Sequence, residues 1–348
     1  MISSKEKEGY LEGERLEKAF SIKDRSLVTK KMQKAFEPIM QLIGAKKEEQ
    51  IFLLSSYEEF LLRLIYEILM PIAQRTGKNE ILIPKGEKGK IRNILKTAGR
   101  LGLSFKEVEP VKDGRITKDI LEKSISPRSL AFCTSWAEKF TGAIHPIFEI
   151  ANFCTAKEIF LYVDATETIG KVFFRQQDIA ADIVSFNHGN LTAVVAKKSD
   201  LLKKTKWGEN FCLKEFFALS AFAEHSLNVM DIDPMEYSQL KNEIMDKVLE
   251  GEIKCSFFNK GGSFLFDRWC FAFDGVNGET LAYFLREDGI YVDYLEVGNI
   301  LKERNLEEGY LDGAVSLTFS TMTDRLQILQ IWEKIIARAK EIKEFSND

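Results

Sequence analysis

Asp164 is the residue whose position most demands a partner. It ends the apolar run Ile159–Val163 (IFLYV), so its carboxylate is expected at the lip of a buried strand, where an unpaired charge is costly. A protonated ring nitrogen, a metal, an arginine or backbone amides would each answer that need. So would a role as N-cap of the turn that follows. No metal-ligand cluster accompanies it, and the three histidines are far apart. His188 lies in the turn Asn187–Asn190 at the end of another apolar run, Ile183–Phe186, placed to donate to an anion or stack on a ring. Ser55 and Ser56 separate the run Ile51–Leu54 from a strongly apolar helix beginning at Tyr57. That join puts a helix N-terminus where it could hold an anion. Gly86–Lys90 (GEKGK) looks superficially like a phosphate loop but lacks the spacing and the hydroxyl after lysine, and reads as a solvated turn. His145 beside Pro146, and His225 in a helical pattern, read as structural. The pairs Glu58–Glu59 and Glu307–Glu308 read as solvated faces, and no Ser/His/Asp or Cys/His set has motif-like context.

The elements that must position these residues alternate. Strand-like runs are Glu80–Ile83, Leu103–Val108, Ser129–Thr134, Ile159–Val163, Ile183–Phe186 and Leu191–Ala196. Helical patterns cover Ile22–Ile43, the stretch from Tyr57, Lys88–Leu101, Lys118–Ser124 and Ile147–Thr155. This alternation predicts an α/β fold with a mostly parallel sheet covered by helices on both faces. Ligands bind such sheets beyond the carboxyl ends of the strands, where Ser55, Thr134, Asp164 and the Asn187–Asn190 turn all fall. Helical periodicity returns over Lys214–Leu249, interrupted at Pro234. From Gly251 onward, strand-like runs (Phe257, Phe264–Phe266, Cys270–Phe273, Ile290–Val292, Ala314–Phe319) and helices over Gly278–Arg286 and Asp324–Phe345 suggest a small α+β domain. The expected organisation is an N-terminal arm over 1–20, a large α/β domain over 21–250 and a C-terminal domain over 251–348.

Composition narrows the function classes. A chain of 348 residues exceeds one simple core. The net charge is −4 with Lys and Arg spread along the chain, which argues against nucleic acid as a partner. Phe60–Ala73, the longest apolar stretch, is broken by Arg63, Glu67 and Pro71 and reads as a core helix, not a membrane span. The charged N-terminus resembles neither a signal nor a transit peptide. Five scattered cysteines without a CxxC pair read as reduced thiols, and a cytoplasmic protein is expected.

Several strings, in order, resemble the class V aminotransferase group of fold type I pyridoxal-phosphate (PLP) enzymes, and specifically the cysteine desulfurases. The resemblance covers roughly residues 22–345. IFLLSSYEEF stands where the family has its phosphate-binding FTSGATEANN, and Phe140–Ile147 (FTGAIHPI) where it has ETGTIQPI. Tyr162–Phe174 (YVDATETIGKVFF) resembles HVDAAQSAGKIPI, and Ala181–Asn190 (ADIVSFNHGN) resembles VDLLSFSGHK. GVNGETL from Gly275 resembles GVEGESLL, and AVSLTFS from Ala314 resembles SIRFSLG. The resemblance implies a large PLP-type domain, a small C-terminal domain and a dimer. It implies a cofactor site, if retained, at Ser55, Ser56, Asp164, Glu167, Asn187 and His188. Asp164 matches the aspartate that keeps the pyridinium nitrogen protonated. Glu167 replaces a glutamine that contacts the ring hydroxyl, and Lys88 falls near the ring-stacking histidine.

The residues that carry the family's reaction do not match. Asn190 stands at the Schiff-base lysine, and an amide can neither form an imine nor shuttle a proton. Lys197 and Lys198 lie beyond the next apolar run and are poor substitutes. Ser316 stands at the arginine that pairs with a substrate carboxylate. The stretch DYLEVGNILKERN contains no cysteine to carry a persulfide. The expectation is a desulfurase-like chain without catalytic residues, with no cofactor or with PLP held non-covalently. It would serve as a binding or scaffold subunit, paired with itself or an active paralogue and touching sulfur-transfer proteins. The competing expectation is a PLP-binding enzyme with altered chemistry.

Overall fold

Seven strands form one sheet in the computed structural model, in the order β1-β7-β6-β5-β4-β2-β3. The strands are β1 (Gln50–Leu54), β2 (Glu80–Pro84), β3 (Ser104–Val108), β4 (Ser129–Ser135), β5 (Phe160–Asp164), β6 (Ile183–His188) and β7 (Leu191–Ala196). Strand β7 runs antiparallel to both its neighbours, β1 and β6, while the β3-β2-β4-β5-β6 ladder is parallel throughout. The structure describes residues 11, 13–14, 25–45, 50–87, 91–92, 94, 98–173, 179–196, 211–230, 233–249, 253–259, 263–294, 297, 312–319 and 323–347. Most of the arm over 1–20, part of the helix expected over Lys88–Leu101, the two lysines after β7 and most of the 293–305 stretch lie outside the described residues.

All six residues of β7 are buried, as are six of the seven in β4, so these strands read as continuous apolar runs, as strands covered on both faces do. Helix α1 (Arg25–Leu42) ends near Gly44, whose φ of +59° suits a glycine close to a helix end. After β1, α2 (Tyr57–Arg63) continues through a π-helical turn (Leu64–Leu69) into α3 (Met70–Thr76). Pro71 has no N–H to return to the preceding turn, and the widened turn directly before it accommodates that loss. Phe60, Leu61, Leu64, Ile65, Ile68 and Leu69 bury one side of this rod with Ile81, Ile83 and Tyr162. Helices α4 (Lys118–Ser124) and α5 (Ile147–Ala156) lead into β4 and β5. Helix α6 (Leu213–Val229) packs on α1, with the Phe36 and Phe216 rings 5.4 Å apart.

The chain divides into two compact units. The first holds Met1–Pro110, Ile116–Trp136 and Pro146–Met230, and the second holds Val111–Arg115, Ala137–His145 and Asp231–Asp348. Helix α7 (Asp233–Leu249), grouped by sequence with the large domain, belongs to the second unit, and Pro234 stands in its first turn. The second unit has an antiparallel sheet, β10-β9-β8, from β8 (Cys255–Phe257), β9 (Arg268–Phe273) and β10 (Val315–Thr318). Its core is aromatic: Trp269 meets Phe319 edge-on at 4.8 Å and Trp332 at 5.9 Å. Helices α8 (Gly278–Glu287) and α9 (Arg325–Asn347) accompany that sheet. Ile290–Val292, read as a strand, does not form one; its neighbour Asp293 makes a single bridge to Ser316.

Candidate functional site

At the carboxyl end of β5, Asp164 is buried, as its place in the sequence requires. Its backbone is pinned on both sides: its carbonyl accepts from Trp136 N at 2.7 Å, and Ala165 N donates to Ser185 O at 2.7 Å. Its Oδ1 accepts from Thr166 N (2.9 Å) and Thr166 Oγ1 (2.5 Å), the local turn contact that an aspartate at a strand end makes with the residue two ahead. Tyr57 donates to the same carboxylate from the start of α2. Burial pushes the Asp164 carboxyl above the usual carboxylate range, and the bonds from Thr166 and Tyr57 pull against that rise.

Two chains of hydroxyl and amide groups converge on this carboxylate. In one, Thr192 Oγ1 donates to Asn187 Oδ1 at 2.7 Å. Asn187 donates through N (3.1 Å) and Nδ2 (3.0 Å) to Thr166 Oγ1, which in turn donates to Asp164. In the other, the Tyr57 and Tyr162 hydroxyls lie 3.0 Å apart, and the Tyr162 hydroxyl lies 2.8 Å from Ser185 Oγ. Either atom of each pair can donate, so the three hydroxyls form one chain that nears the carboxylate at Tyr57. Burial, reinforced by the Asp164 charge, raises both phenols well above the ordinary tyrosine value, so both keep their protons.

Strand alternation explains which residues meet. Tyr162 and Asp164 share one face of β5, and Ser185 and Asn187 share one face of β6. His188 belongs to the opposite face of β6, where its ring stacks on Phe222 of α6 at 4.9 Å. Of the residues expected around a ring, the structure therefore brings Asp164 and Asn187 together and turns His188 away. Glu167 lies close enough for its charge to raise the Asp164 carboxyl. Ser56 is spent as the N-cap of α2, accepting from Glu59 N at 3.1 Å, and Ser55 is exposed just before it. Ser316, in the second unit, is buried and donates to Phe140 O at 2.5 Å.

Asn190 sits in a two-residue hairpin. His188 pairs with Leu191, so only Gly189 and Asn190 connect β6 to β7. Gly189 takes the first position with φ of +59°, a conformation that favours glycine in such tight turns. Asn190 is exposed, and its Nδ2 reaches Glu215 Oε1 on α6 at 3.5 Å.

Sequence reasoning missed Tyr57, Tyr162, Thr166, Ser185 and Thr192. The signal for two of them was polar residues two apart inside buried strands, Tyr162 before Asp164 and Ser185 before Asn187; Thr192 is the cross-strand partner of Asn187.

A helix-covered, mostly parallel seven-stranded sheet with a buried aspartate at a strand end is the architecture of fold type I PLP enzymes. A family model for class-V aminotransferases matches residues 15–192, just over half of the chain, and the chain belongs to that family. Over 153 residues it is 29% identical to cysteine desulfurase IscS of Glaesserella parasuis serovar 5 (strain SH0165), covering 44% of this chain and 37% of that relative. The chain thus matches well under half the length of that relative. It is 20% identical over 284 residues to a cysteine desulfurase of Bradyrhizobium diazoefficiens, covering 75% of this chain and 72% of the relative. Among solved structures, the cysteine desulfurase CsdA (S-sulfonic acid) of Escherichia coli superposes with a TM-score of 0.77 at 16% identity, over 96% of this chain and 92% of that one. The likeness to CsdA is one of fold.

The residues at this site do not fit PLP held through a lysine. Asn190, which the resemblance sets at the lysine's place, is exposed on a tight turn and reaches Glu215. Asp164 already takes its protons from Thr166 and Tyr57. The segments leaving the carboxyl ends of β1, β2 and β5 carry Glu58 and Glu59, Glu87, and Glu167. Acidic side chains in the first turn of α2 complement the helix dipole themselves, and they repel a phosphate there.

Proposed function

We propose that this chain is a non-catalytic, desulfurase-like member of the class V aminotransferase family that acts by binding. It pairs with a second copy of itself or with an active relative and presents a surface to sulfur-transfer proteins. The observation that carries this reading is the Gly189–Asn190 turn. At the place where the resemblance puts the family's lysine stands an exposed amide on a two-residue hairpin, and an amide can form no imine. The engaged hydroxyl of Ser316 adds to the same reading, because a neutral group bonded to a backbone carbonyl cannot form a bidentate contact with a substrate carboxylate.

Thermal-shift titration with PLP and with pyridoxamine phosphate tests this reading. The expected result is that neither shifts the melting temperature. A stabilisation that disappears in Asp164→Ala would contradict it and favour a retained, non-covalent cofactor site.

A further inference from the structure

We propose that Tyr57 is the resident occupant of the Asp164 site: its phenol group stands where a ring ligand would meet the carboxylate, and it decides what the site admits. This deepens the non-catalytic reading and rests on it in one respect, that wild-type Asp164 holds no cofactor.

Three observations carry the proposal. Tyr57 is the first residue of α2, directly after the Ser55–Ser56 join, so its side chain departs from the point at which a ligand would enter beyond the sheet. The ring is held in place, stacked on Phe60 at 6.0 Å, while Phe60 in turn packs on Tyr162 at 5.2 Å. Its hydroxyl lies 3.0 Å from that of Tyr162, on the face of β5 that also carries Asp164, and joins the chain that runs to Ser185. A buried carboxylate needs donors, and here a phenol supplied by the chain is one of them. Any ligand that uses Asp164 must offer its own N–H or O–H and displace this ring. The chemical class that would do so is a planar ring bearing a donor, such as a phenol or a hydroxypyridine.

Truncation with chemical replacement tests this. Tyr57→Ala removes the ring and leaves the carboxylate, so phenol and 3-hydroxypyridine at millimolar concentration are expected to raise the melting temperature of this variant by about 2 °C or more. They should leave wild type and Tyr57→Phe unchanged, because both keep the ring. An equal shift in wild type, or none in Tyr57→Ala, overturns the proposal. If Tyr57→Ala does not fold, carbon-13 NMR of the aspartate carboxyls in wild type and Tyr57→Phe decides instead. Loss of the Tyr57 proton should move the Asp164 titration to higher pH, and an unchanged midpoint overturns the proposal. These outcomes are separate from those of the non-catalytic reading: sulfide released from cysteine by wild type would overturn that reading, whereas failure of the ring compounds to bind Tyr57→Ala overturns only this one.

Discussion

At the scale of single residues, the site is governed by what burial does to charge. Asp164 is buried and its carboxyl is raised, so the folded state holds that proton more tightly than the unfolded state does. Its contribution to stability is complete below the ordinary carboxyl range and is lost as pH rises through its folded value. Asp164→Asn never acquires the charge and keeps an oxygen for the Thr166 donors. It should therefore melt higher than wild type at pH 7, with the gap closing as pH falls. A lower melting temperature at pH 7 would show that the carboxylate itself stabilises the fold. Lys241 in α7 is the converse case. Its ammonium is buried and donates to Asn259 O and Oδ1, both at 2.8 Å, and burial pushes the amine down to about 8. The unfolded chain binds that proton more tightly, so the cost is present in full below pH about 8 and is relieved up to the ordinary lysine value of about 10.4. Urea midpoints measured across that window should rise for wild type relative to Lys241→Met. Parallel profiles would contradict this.

At the scale of elements, the connections do the positioning. Gly170 lies in the connection from β5 to β6 with φ of +74°, and a Cβ there would stand 2.5 Å from Ser226 Oγ and 2.9 Å from Ser226 Cβ on α6. Gly170→Ala should cost roughly 2 kcal/mol or more in denaturant unfolding, from overlap together with an unfavourable backbone region. Ser56→Ala removes the cap of α2 and should cost about 1 kcal/mol, with no change in the unfolding slope. The strands of the large sheet were legible because a buried strand is a short apolar run with little else in it, and Glu80–Ile83, Ser129–Thr134 and Leu191–Ala196 all form. Asp164 was legible for the same reason, as the polar end of such a run. Tyr57 was not, because its role depends on β5 lying beside the start of α2, more than a hundred residues away in sequence. Where the tight β6–β7 turn points Asn190 could not be read, because that depends on α6 bringing Glu215 alongside. Ile290–Val292 misled because three apolar residues fit a strand pattern as well as they fit the single bridge that Asp293 makes to Ser316.

At the scale of the whole molecule, a family fold is present, and the proposed loss of its reaction rests on a few side chains, Asn190 and Ser316 foremost. Among the described residues no helix is long and apolar enough to cross a membrane. Fold and reaction are separable because the sheet depends on buried apolar strands, whereas the reaction depends on a few side chains at their ends. In this chain those ends carry an amide, a capped helix and a carboxylate served by internal donors. The central claim is that such a site performs no desulfurase chemistry, and sulfide release measures it most directly. Purified protein incubated with PLP, L-cysteine and a thiol reductant should release no more sulfide than a protein-free control. Sulfide produced in proportion to the protein added, and lost in Asp164→Ala, would contradict the account.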